Sequence, residues 1–275
     1  SVLSSRTPPF IVTSHGADLF ALRAWPLPAL KRFVAQRAAA LTVVSNAMSG
    51  ELERLGVPTD KISVQPMGVD LENRFTPDDS VARSNSELLF VGRLVEKKGV
   101  RYLLEALPKV IEAHPNAHLT IAGFGPEEAA LRLQANELDI SENVDFLGAV
   151  PQEKLPALYR RAALFVAPFV EAKSGDQEGL GLVTVEAIGC GCPAIASDLP
   201  AVADVLNDES MRTPPGNPNA IATTVNRLLS LGPDARAMLG NDLRAGILQR
   251  LDWNEIKERY QHLLLDITRH NRAEG

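Results

Sequence analysis

The feature that most constrains the fold of this chain is a regular alternation of short apolar runs with longer amphipathic segments. The apolar runs have the length of strands and are rich in Val, Ile and Leu, whereas the segments between them have the length and period of helices. Repeated strand–helix units place their strands parallel in one sheet, because each helix carries the chain back to the starting edge. The sequence therefore predicts an α/β protein.

A stretch without hydrophobic period, residues 66–86, divides these units into two series. It contains two Pro, one Gly and several Asp and Asn residues, a composition typical of linkers between domains. The first series predicts strands at 10–13, 41–44 and 62–65 and helices at 27–38 and 47–55. The second predicts strands at 88–91, 118–122, 144–147, 163–167 and 194–196, helices at 99–113, 127–138, 152–161 and 182–188, and three closing helices at 219–231, 234–249 and 253–268. The second series therefore predicts a doubly wound domain, whose ligands sit beyond the carboxyl ends of the strands.

Composition excludes several functions. The 275 residues carry a net charge of -6 and no run rich in Lys and Arg, which argues against nucleic acid as a partner. The two cysteines, Cys190 and Cys192, are too close together to join distant segments and too few for a closed zinc site, so a reducing, cytosolic setting fits best. No apolar run in the sequence is long enough to span a membrane.

Cations cluster between the first strand of the second series and the helix that follows it. Arg93, Lys97 and Lys98 lie in LLFVGRLVEKKG, residues 88–99. Because the N-terminus of a helix is already the positive end of its dipole, basic side chains there are unfavourable unless an anion shares the site. A diphosphate would supply that anion, so we expect Arg93 and Lys98 to be exposed in a cleft. The alternative is a solvated basic loop without a ligand.

Two carboxylates flank a glycine-rich turn in EGLGLVTVEAIGCGCP. Glu178 precedes the turn and Glu186 follows eight residues later, about one turn into a predicted helix, so both can point into the crevice above the sheet. Gly179 and Gly181 allow backbone N–H groups to approach a ligand closely. The pair suits the hydroxyls of a sugar or ribose better than a metal ion, because no third ligand is nearby in the sequence. The alternative is a surface Glu and an ordinary helical Glu.

A histidine follows the first strand of the chain. His15 and Gly16, in VTSHGAD, end that strand and precede a predicted helix. This position predicts a loop on the catalytic face of the first domain. A purely structural role is the alternative for a lone His.

Together, these segments resemble the large retaining glycosyltransferase family of the GT-B fold, often numbered family 4. That family includes bacterial mannosyl- and glucosyltransferases for cell-surface polysaccharides and glycolipids. The match covers nearly the whole chain, and its most specific parts are FVGRLVEKKG, EGLGLVTVEA and QPMGVDLENRFTP. Weaker support comes from SHGAD, VSNAMSGELERLG, IAGFGPE and LDWNEIKERY.

The resemblance implies a role for each of these segments. Arg93 and Lys98 would bind the donor diphosphate, and Glu186 would hold the ribose hydroxyls. Glu178 would contact the transferred sugar, which His15 would face from the other domain. The implied catalytic set is His15, Glu178, Arg93 and Lys98. The implied donor-binding set is Gly92, Arg93, Lys98, Gly123, Leu147, Glu178, Gly179, Leu180, Gly181, Leu182 and Glu186.

The resemblance also implies the partners. The co-substrate would be a nucleotide sugar such as a UDP- or GDP-hexose, the acceptor a polysaccharide or lipid-linked glycan, and the setting the cytoplasm. Neither a metal ion nor a cofactor is expected, because the basic pair and helix N-termini would neutralise the departing diphosphate. Two alternatives are a non-catalytic nucleotide-sugar-binding remnant and a sugar-nucleotide epimerase, and the Glu-x7-Glu spacing favours the transferase over the epimerase.

The resemblance divides the chain into three parts. Residues 1–80 would form an acceptor-side Rossmann-like domain with the linker, residues 81–250 the nucleotide-sugar-binding domain, and residues 251–275 a helix that packs back on the first domain. In the family about half of the chain precedes the linker, whereas here about 65 residues do so. We therefore expect the first domain to be incomplete, without its first strands and their Gly-rich loop.

Residues 19–50 combine cations with apolar side chains. The segment contains no acidic residue, and its apolar set includes Trp25, Leu27, Leu30 and Phe33. Its four basic residues are Arg23, Lys31, Arg32 and Arg37. Such a segment can rest on an anionic bilayer, which predicts a peripheral contact at the inner face of the cell membrane. The alternative is a helical hairpin that packs on its own domain.

Overall fold

The computed structural model of this chain describes residues 9–20 and 26–273. The part before the linker contains the strands β1 (Ile11–Ser14), β2 (Ala40–Val43) and β3 (Ile62–Val64). Its helices are α1 (Ala17–Phe20), α2 (Leu27–Arg37) and α3 (Asn46–Arg54). The three strands form a parallel sheet in the order β1-β2-β3.

The part after the linker builds a larger parallel sheet. Its strands are β4 (Glu87–Val91), β5 (His118–Ala122), β6 (Val144–Gly148), β7 (Leu164–Ala167), β8 (Ala194–Ser197) and β9 (Arg212–Thr213). Its helices are α4 (Val100–Ala113), α5 (Glu128–Glu137), α6 (Leu155–Arg161), α7 (Leu182–Gly189), α8 (Pro200–Ala203), α9 (Pro218–Leu229), α10 (Pro233–Leu251) and α11 (Trp253–Ala273). The strand order is β6-β5-β4-β7-β8-β9, so the winding direction reverses after β6, next to β4. This confirms the predicted α/β class and puts a ligand crevice at the carboxyl ends of β4 and its neighbours.

The strands β4, β7 and β8 of the larger sheet are buried on both faces. Every residue of β4, β7 and β8 is buried, including Glu87 at the start of β4. The Glu87 carboxylate is bonded there by the guanidinium of Arg161 at 2.6 Å and the hydroxyl of Thr120 at 2.9 Å, which compensates for its burial. Burial on both faces explains why these strands appear in the sequence as unbroken apolar runs.

Arginine side chains fasten the linker to the second domain. The guanidinium of Arg244, on α10, donates to the carbonyl oxygens of Leu71 at 2.8 Å and Gly189 at 2.7 Å. It thereby joins the linker to the end of α7. Arg83, within the linker, donates in the opposite direction to three carbonyl oxygens of the second domain, those of Tyr159, Ala162 and Cys190. The linker is therefore a fixed strap, because each guanidinium satisfies several backbone acceptors at once.

The last helix lies against the first sheet. The chain reaches α11 through a parallel bridge between Val69 and Asp252. On α11, the Tyr260 hydroxyl is 3.0 Å from the Thr13 hydroxyl of β1, and Arg259 donates to the carbonyl of Val64 at 3.3 Å. The end of the chain thus contributes side chains to the first domain.

The segment proposed for membrane contact folds as helix, strand and helix. The helical hairpin considered above is wrong, because the run at 40–43 pairs as β2 with strands on both sides. On α2, Leu30 is 56% and Phe33 is 51% exposed. Lys31 and Arg32 donate to backbone carbonyls of their own domain. Outside the described residues lie Arg23 and Trp25. Within the described part, no helix combines the length and apolar character needed to cross a bilayer.

Replacing Arg244 with Met should destabilise the protein. Met keeps the apolar stem but leaves the carbonyls of Leu71 and Gly189 without their donor, so we expect the free energy of unfolding to fall by about 1–3 kcal/mol. Urea denaturation measures this change. Arg227→Met is the matched control, because Arg227 is exposed and bonds one carbonyl, that of Ser210. Equal urea midpoints for the two variants would show that Arg244 does not stabilise the attachment of the linker.

Candidate functional site

Loops after β4 and β5 come into direct contact at the carboxyl edge of the larger sheet. Gly92 follows β4 and Gly123 follows β5, and both have a φ of 154°. A Cβ on Gly123 would lie 1.8 Å from the carbonyl oxygen of Gly92, a distance that no side chain tolerates. Only glycine therefore allows this approach, and the crevice is bounded here by backbone.

The predicted cations lie between β4 and α4. Residues Glu96–Lys98 form a turn of 3-10 helix, and Gly99, with a φ of 65°, connects it to the first residue of α4. A Cβ on Gly99 would lie 1.9 Å from the carbonyl oxygen of Pro168, so the turn packs directly on the loop after β7. Arg93 is exposed, as expected.

Lys98 contradicts the expectation that it is exposed. Its side chain is only 12% exposed, and its ammonium donates to Oε2 of Glu178 at 2.7 Å. The same ammonium lies 4.6 Å from the ring centroid of Phe169. Spacing along the sequence could not reveal the ion pair, because the two residues are on different loops that follow different strands. The conflict between a cation and a helix N-terminus is thus relieved by a carboxylate of the protein itself.

Glu178 occupies the position expected for an anion. Its Oε1 accepts the backbone N–H of Gly181 at 3.2 Å, immediately before α7, while its Oε2 meets Lys98. Burial by itself would raise the pKa of Glu178, but the nearby Lys98 and Lys97 ammonium groups and the Gly181 N–H hold that pKa below its usual value. Glu178 is therefore an ionised group, held between an ammonium and the start of a helix.

A second ion pair supports the loop that carries Glu178. The Lys97 ammonium lies 3.1 Å from Oδ2 of Asp176 and donates to the carbonyl of Gln177 at 3.3 Å. The backbone carbonyl of Lys97 also accepts the N–H of Val170 at 2.9 Å. Consecutive lysines thus connect both ends of this loop to the turn before α4.

Glu186 lies deeper than Glu178. It is the fifth residue of α7, about one turn in, as predicted, and it is 8% exposed. Its Oε2 accepts the hydroxyl of Tyr159, on α6, at 2.8 Å. Burial raises the pKa of Glu186, against the opposing effects of the Tyr159 hydrogen bond and the positive charge of Arg74. Tyr159 was not predicted from the sequence, because nothing in the pattern of α6 distinguishes it from an aromatic residue that only packs in the core.

The loop after β1 reaches this site from the first domain. His15 is exposed, and the backbone N–H groups of His15 and Gly16 donate to the carboxylate of Asp18 at 3.1 and 3.0 Å. A Cβ on Gly179 would lie 2.5 Å from the carbonyl oxygen of His15. The two domains therefore touch through backbone beside Glu178.

The remaining predicted residues differ in what they can offer a ligand. Leu147 is 45% exposed at the end of β6. Leu180 is 1% exposed, so only its backbone is available, whereas Leu182 is half-buried at the first residue of α7. Phe124, which was not predicted, is 60% exposed beside Gly123 and lines a cavity of about 180 Å³. An aromatic residue directly after a strand-ending glycine is the sequence signal that could have identified it.

Metal ligands and reactive thiols are the other groups that could give the site its chemistry. Within residues 9–20 and 26–273, no three His, Cys, Asp or Glu side chains are grouped so that they could hold a metal ion. Burial raises the pKa of the Cys190 thiol to about 12 and that of Cys192 to about 11, so both remain protonated at neutral pH.

Comparison with known proteins extends these observations. The family model described as Glycosyl transferases group 1 matches residues 77–244, and the one described as Glycosyltransferase Family 4 matches residues 1–73. The chain is 30% identical over 270 residues to a GDP-mannose-dependent alpha-(1-6)-phosphatidylinositol monomannoside mannosyltransferase of Mycolicibacterium smegmatis, covering 92% of this chain and 69% of the relative. It is 34% identical over 171 residues to an uncharacterized glycosyltransferase of Methanocaldococcus jannaschii, covering 62% of this chain but only 42% of that relative.

Solved structures show the same architecture. Anabaena HepE, in complex with UDP and glucose, gives a TM-score of 0.79 at 21% identity, covering 93% of this chain and 71% of that chain. Sucrose-phosphate synthase from Thermosynechococcus elongatus gives a TM-score of 0.78 at 23% identity, covering 94% of this chain and 68% of that chain.

Replacing Gly179 with Ala should separate the two domains at the site. The added Cβ would meet the His15 carbonyl oxygen at 2.5 Å, and backbone on both sides leaves no side chain that could turn away. We expect longer distances between spin labels placed at Glu53, in the first domain, and Glu142, in the second. Gly246→Ala is the control, because nothing lies within 4 Å of its Cβ position.

Double electron–electron resonance measures these distances. The two native thiols are buried, so labels attach to the introduced cysteines. Identical distance distributions for the parent, the Gly179 variant and the Gly246 variant would show that the glycine contact does not hold the domains together.

Proposed function

The chain belongs to the group 1 glycosyl transferases, with the GT-B fold, and on that basis we propose that it transfers a hexose from a nucleoside diphosphate sugar. The acceptor we propose is a polysaccharide or lipid-linked glycan of the cell envelope. The reaction retains the anomeric configuration of the sugar. Membership comes from the model match over residues 77–244.

The assignment of a nucleoside diphosphate sugar as donor rests on the groups that surround Glu178. An ammonium, Lys98, and a helix N-terminus, that of α7, converge on a single carboxylate, Glu178, with the exposed guanidinium of Arg93 on the loop that leads to Lys98. Two anion-binding elements aimed at one point suit a diphosphate, whose charge can replace that of the carboxylate. Arg93 then supplies the planar pair of donors that a second phosphate requires.

The two glutamates divide the rest of the donor between them. Glu178 lies beside the loop contact made by His15, so once the diphosphate takes its place at Lys98 its carboxylate is free to accept hydroxyls of the transferred sugar. Glu186, one turn further along α7, accepts the ribose hydroxyls. Carboxylates serve both tasks, because they accept hydrogen bonds from pairs of vicinal hydroxyls.

Two relatives support a hexose donor without choosing its base. The mycobacterial relative is named for GDP-mannose, and the Anabaena structure holds UDP and glucose. For this chain we therefore propose a UDP- or GDP-hexose, bound with the base near Leu147.

The chemistry needs no metal ion in this proposal. The bond between the sugar C1 and the diphosphate oxygen breaks as the bond from C1 to the acceptor oxygen forms on the same face. The acceptor proton passes to the leaving phosphate. Arg93 and Lys98 stabilise the negative charge that develops on the diphosphate.

We further propose a cytoplasmic protein in peripheral contact with the inner face of the membrane. The exposed Leu30 and Phe33 of α2 form the apolar part of the contact, and the guanidinium of Arg37 lies 3.6 Å from the Phe33 ring centroid. An apolar pair beside a cation matches the interface of an anionic bilayer.

Vesicle sedimentation tests this contact. We expect the protein to pellet with phosphatidylglycerol vesicles at low salt, less at high salt, and not after Leu30→Ser and Phe33→Ser together. Leu133→Ser is the control, because Leu133 is 58% exposed on α5. If the protein does not pellet with the vesicles at either low or high salt, the proposed membrane contact is wrong.

Replacing both Arg93 and Lys98 with Ala should strongly weaken donor binding. Each charge-assisted hydrogen bond to the diphosphate contributes roughly 1.5–3 kcal/mol, so the pair should weaken binding by about two to four orders of magnitude. Lys98→Ala should also destabilise the chain, because it leaves the Glu178 carboxylate without its counter-ion. Arg93→Ala should leave stability unchanged.

Calorimetric titration with UDP, GDP and their hexose derivatives measures these affinities. Lys109→Ala is the matched control, an exposed lysine toward the far end of α4 whose partner is Asn219. If the double variant bound the preferred donor as tightly as the parent, the diphosphate assignment would be wrong.

A further inference from the structure

Glu186 is a carboxylate in surroundings that favour its neutral form. It is 8% exposed, and burial raises its pKa. A protonated carboxyl has lost part of its capacity to accept hydrogen bonds and binds vicinal hydroxyls poorly. A ribose site built on Glu186 therefore needs a group that keeps the carboxylate ionised and fixes its direction.

Tyr159 has the geometry of such a group. Its hydroxyl donates to Oε2 of Glu186 at 2.8 Å, and the residue is completely buried. Its ring packs edge-on between Phe75 and Phe165, with centroid separations of 6.1 and 5.7 Å. The Tyr159 backbone is held as well, because Arg83 donates to its carbonyl at 3.0 Å. Ring and backbone are thus both fixed, and the hydroxyl is presented in one direction.

The phenol remains a donor at every physiological pH. Burial, together with the neighbouring negative charge of Glu186, raises the pKa of Tyr159 well above its usual value. Two further titratable groups face Glu186, namely Arg74 from the linker, which favours the ionised carboxylate, and Cys190, whose pKa of about 12 keeps it neutral. Tyr159 is the group among these that bonds Glu186 directly.

The second oxygen of Glu186 is left for a ligand. Among the described residues, Oε1 has no hydrogen-bond partner, and it is not enclosed as a buried unpaired atom. One oxygen is therefore bonded by the protein, while the other reaches solvent and is open to a ligand. This asymmetry is what a carboxylate needs in order to accept hydroxyls in a fixed orientation.

We propose that Tyr159 is the positioning residue of the ribose subsite, which directs Glu186 Oε1 toward the two ribose hydroxyls of the donor. This rests on the proposed function, in which Glu186 contacts the ribose. Tyr159 itself touches no substrate and acts through Glu186.

Tyr159→Phe tests the proposal by removing one oxygen atom while keeping the ring. Binding of UDP and GDP, and of their 2′,3′-dideoxy forms, is measured by calorimetry. The parent should bind the ribose form about tenfold or more tightly than the dideoxy form, and Tyr159→Phe should lose most of that preference. Affinity for the dideoxy form should stay the same in both proteins.

Phe165→Leu is the matched control for packing. It disturbs the same aromatic cluster without touching the hydroxyl, so it should lower stability yet keep the preference for ribose. Glu186→Gln completes the comparison, because in that background Tyr159→Phe should change binding no further.

The dependence of binding on pH gives a second test, because this dependence would not change if Tyr159 served only to pack the core. Without the Tyr159 hydroxyl, the pKa of Glu186 rises further, so protonation begins at a higher pH. Affinity of Tyr159→Phe for the ribose form should therefore fall on acidification at a pH where the parent is still unaffected. Phe165→Leu should follow the parent.

The possible results separate the role of Glu186 from that of Tyr159. A parent that fails to bind UDP and GDP, or that binds the ribose and dideoxy forms equally, would overturn the proposed role of Glu186, and the role of Tyr159 with it. If the parent prefers ribose and Tyr159→Phe keeps that preference with an unchanged pH profile, the function stands and the positioning role fails. If Tyr159→Phe loses the preference for ribose while Phe165→Leu keeps it, the positioning role of Tyr159 is supported.

Discussion

The ion pair between Lys98 and Glu178 is the interaction on which the site depends. It joins the turn before α4 to the loop before α7, two segments that follow different strands, and it puts a negative charge at the start of a helix. A buried ammonium and a buried carboxylate would each be unfavourable alone, so each secures the position of the other. A ligand that brings its own negative charge to Lys98 can replace Glu178 there, and the Glu178 carboxylate can then accept hydrogen bonds from that ligand's hydroxyls.

Backbone contacts determine how closely the parts around that pair approach one another. Gly99 brings the cationic turn onto the loop after β7, and Gly179 brings the loop of Glu178 onto the carbonyl of His15. A Cβ at either position would force the segments apart, because it would lie 1.9 Å (Gly99) or 2.5 Å (Gly179) from a backbone carbonyl oxygen. The arginine strap along the linker then fixes the second domain against the segment that leads to the first. Rigid placement of this kind is what binding of a transition state requires.

The sequence predicted the sheets, because strands buried on both faces, such as β4, β7 and β8, leave unbroken apolar runs that are visible without a structure. One-turn helices such as Pro200–Ala203 and the two-residue strand Arg212–Thr213 were not predicted, since such short elements carry no period. The carboxylates were identified from the turn between them. Their partners were not, because Lys98 and Tyr159 reach Glu178 and Glu186 only through the folding of distant segments.

Hydrogen exchange measured with and without UDP or GDP shows whether the diphosphate binds at Lys98 and the start of α7, since it locates the nucleotide on the parent chain itself. Backbone amides of residues 92–99 and 178–186 become protected if the diphosphate lies between the turn before α4 and the start of α7. Both segments should be protected together, while exchange at the β9 edge of the sheet stays unchanged. Nucleotide binding that protects neither segment would contradict this placement of the diphosphate.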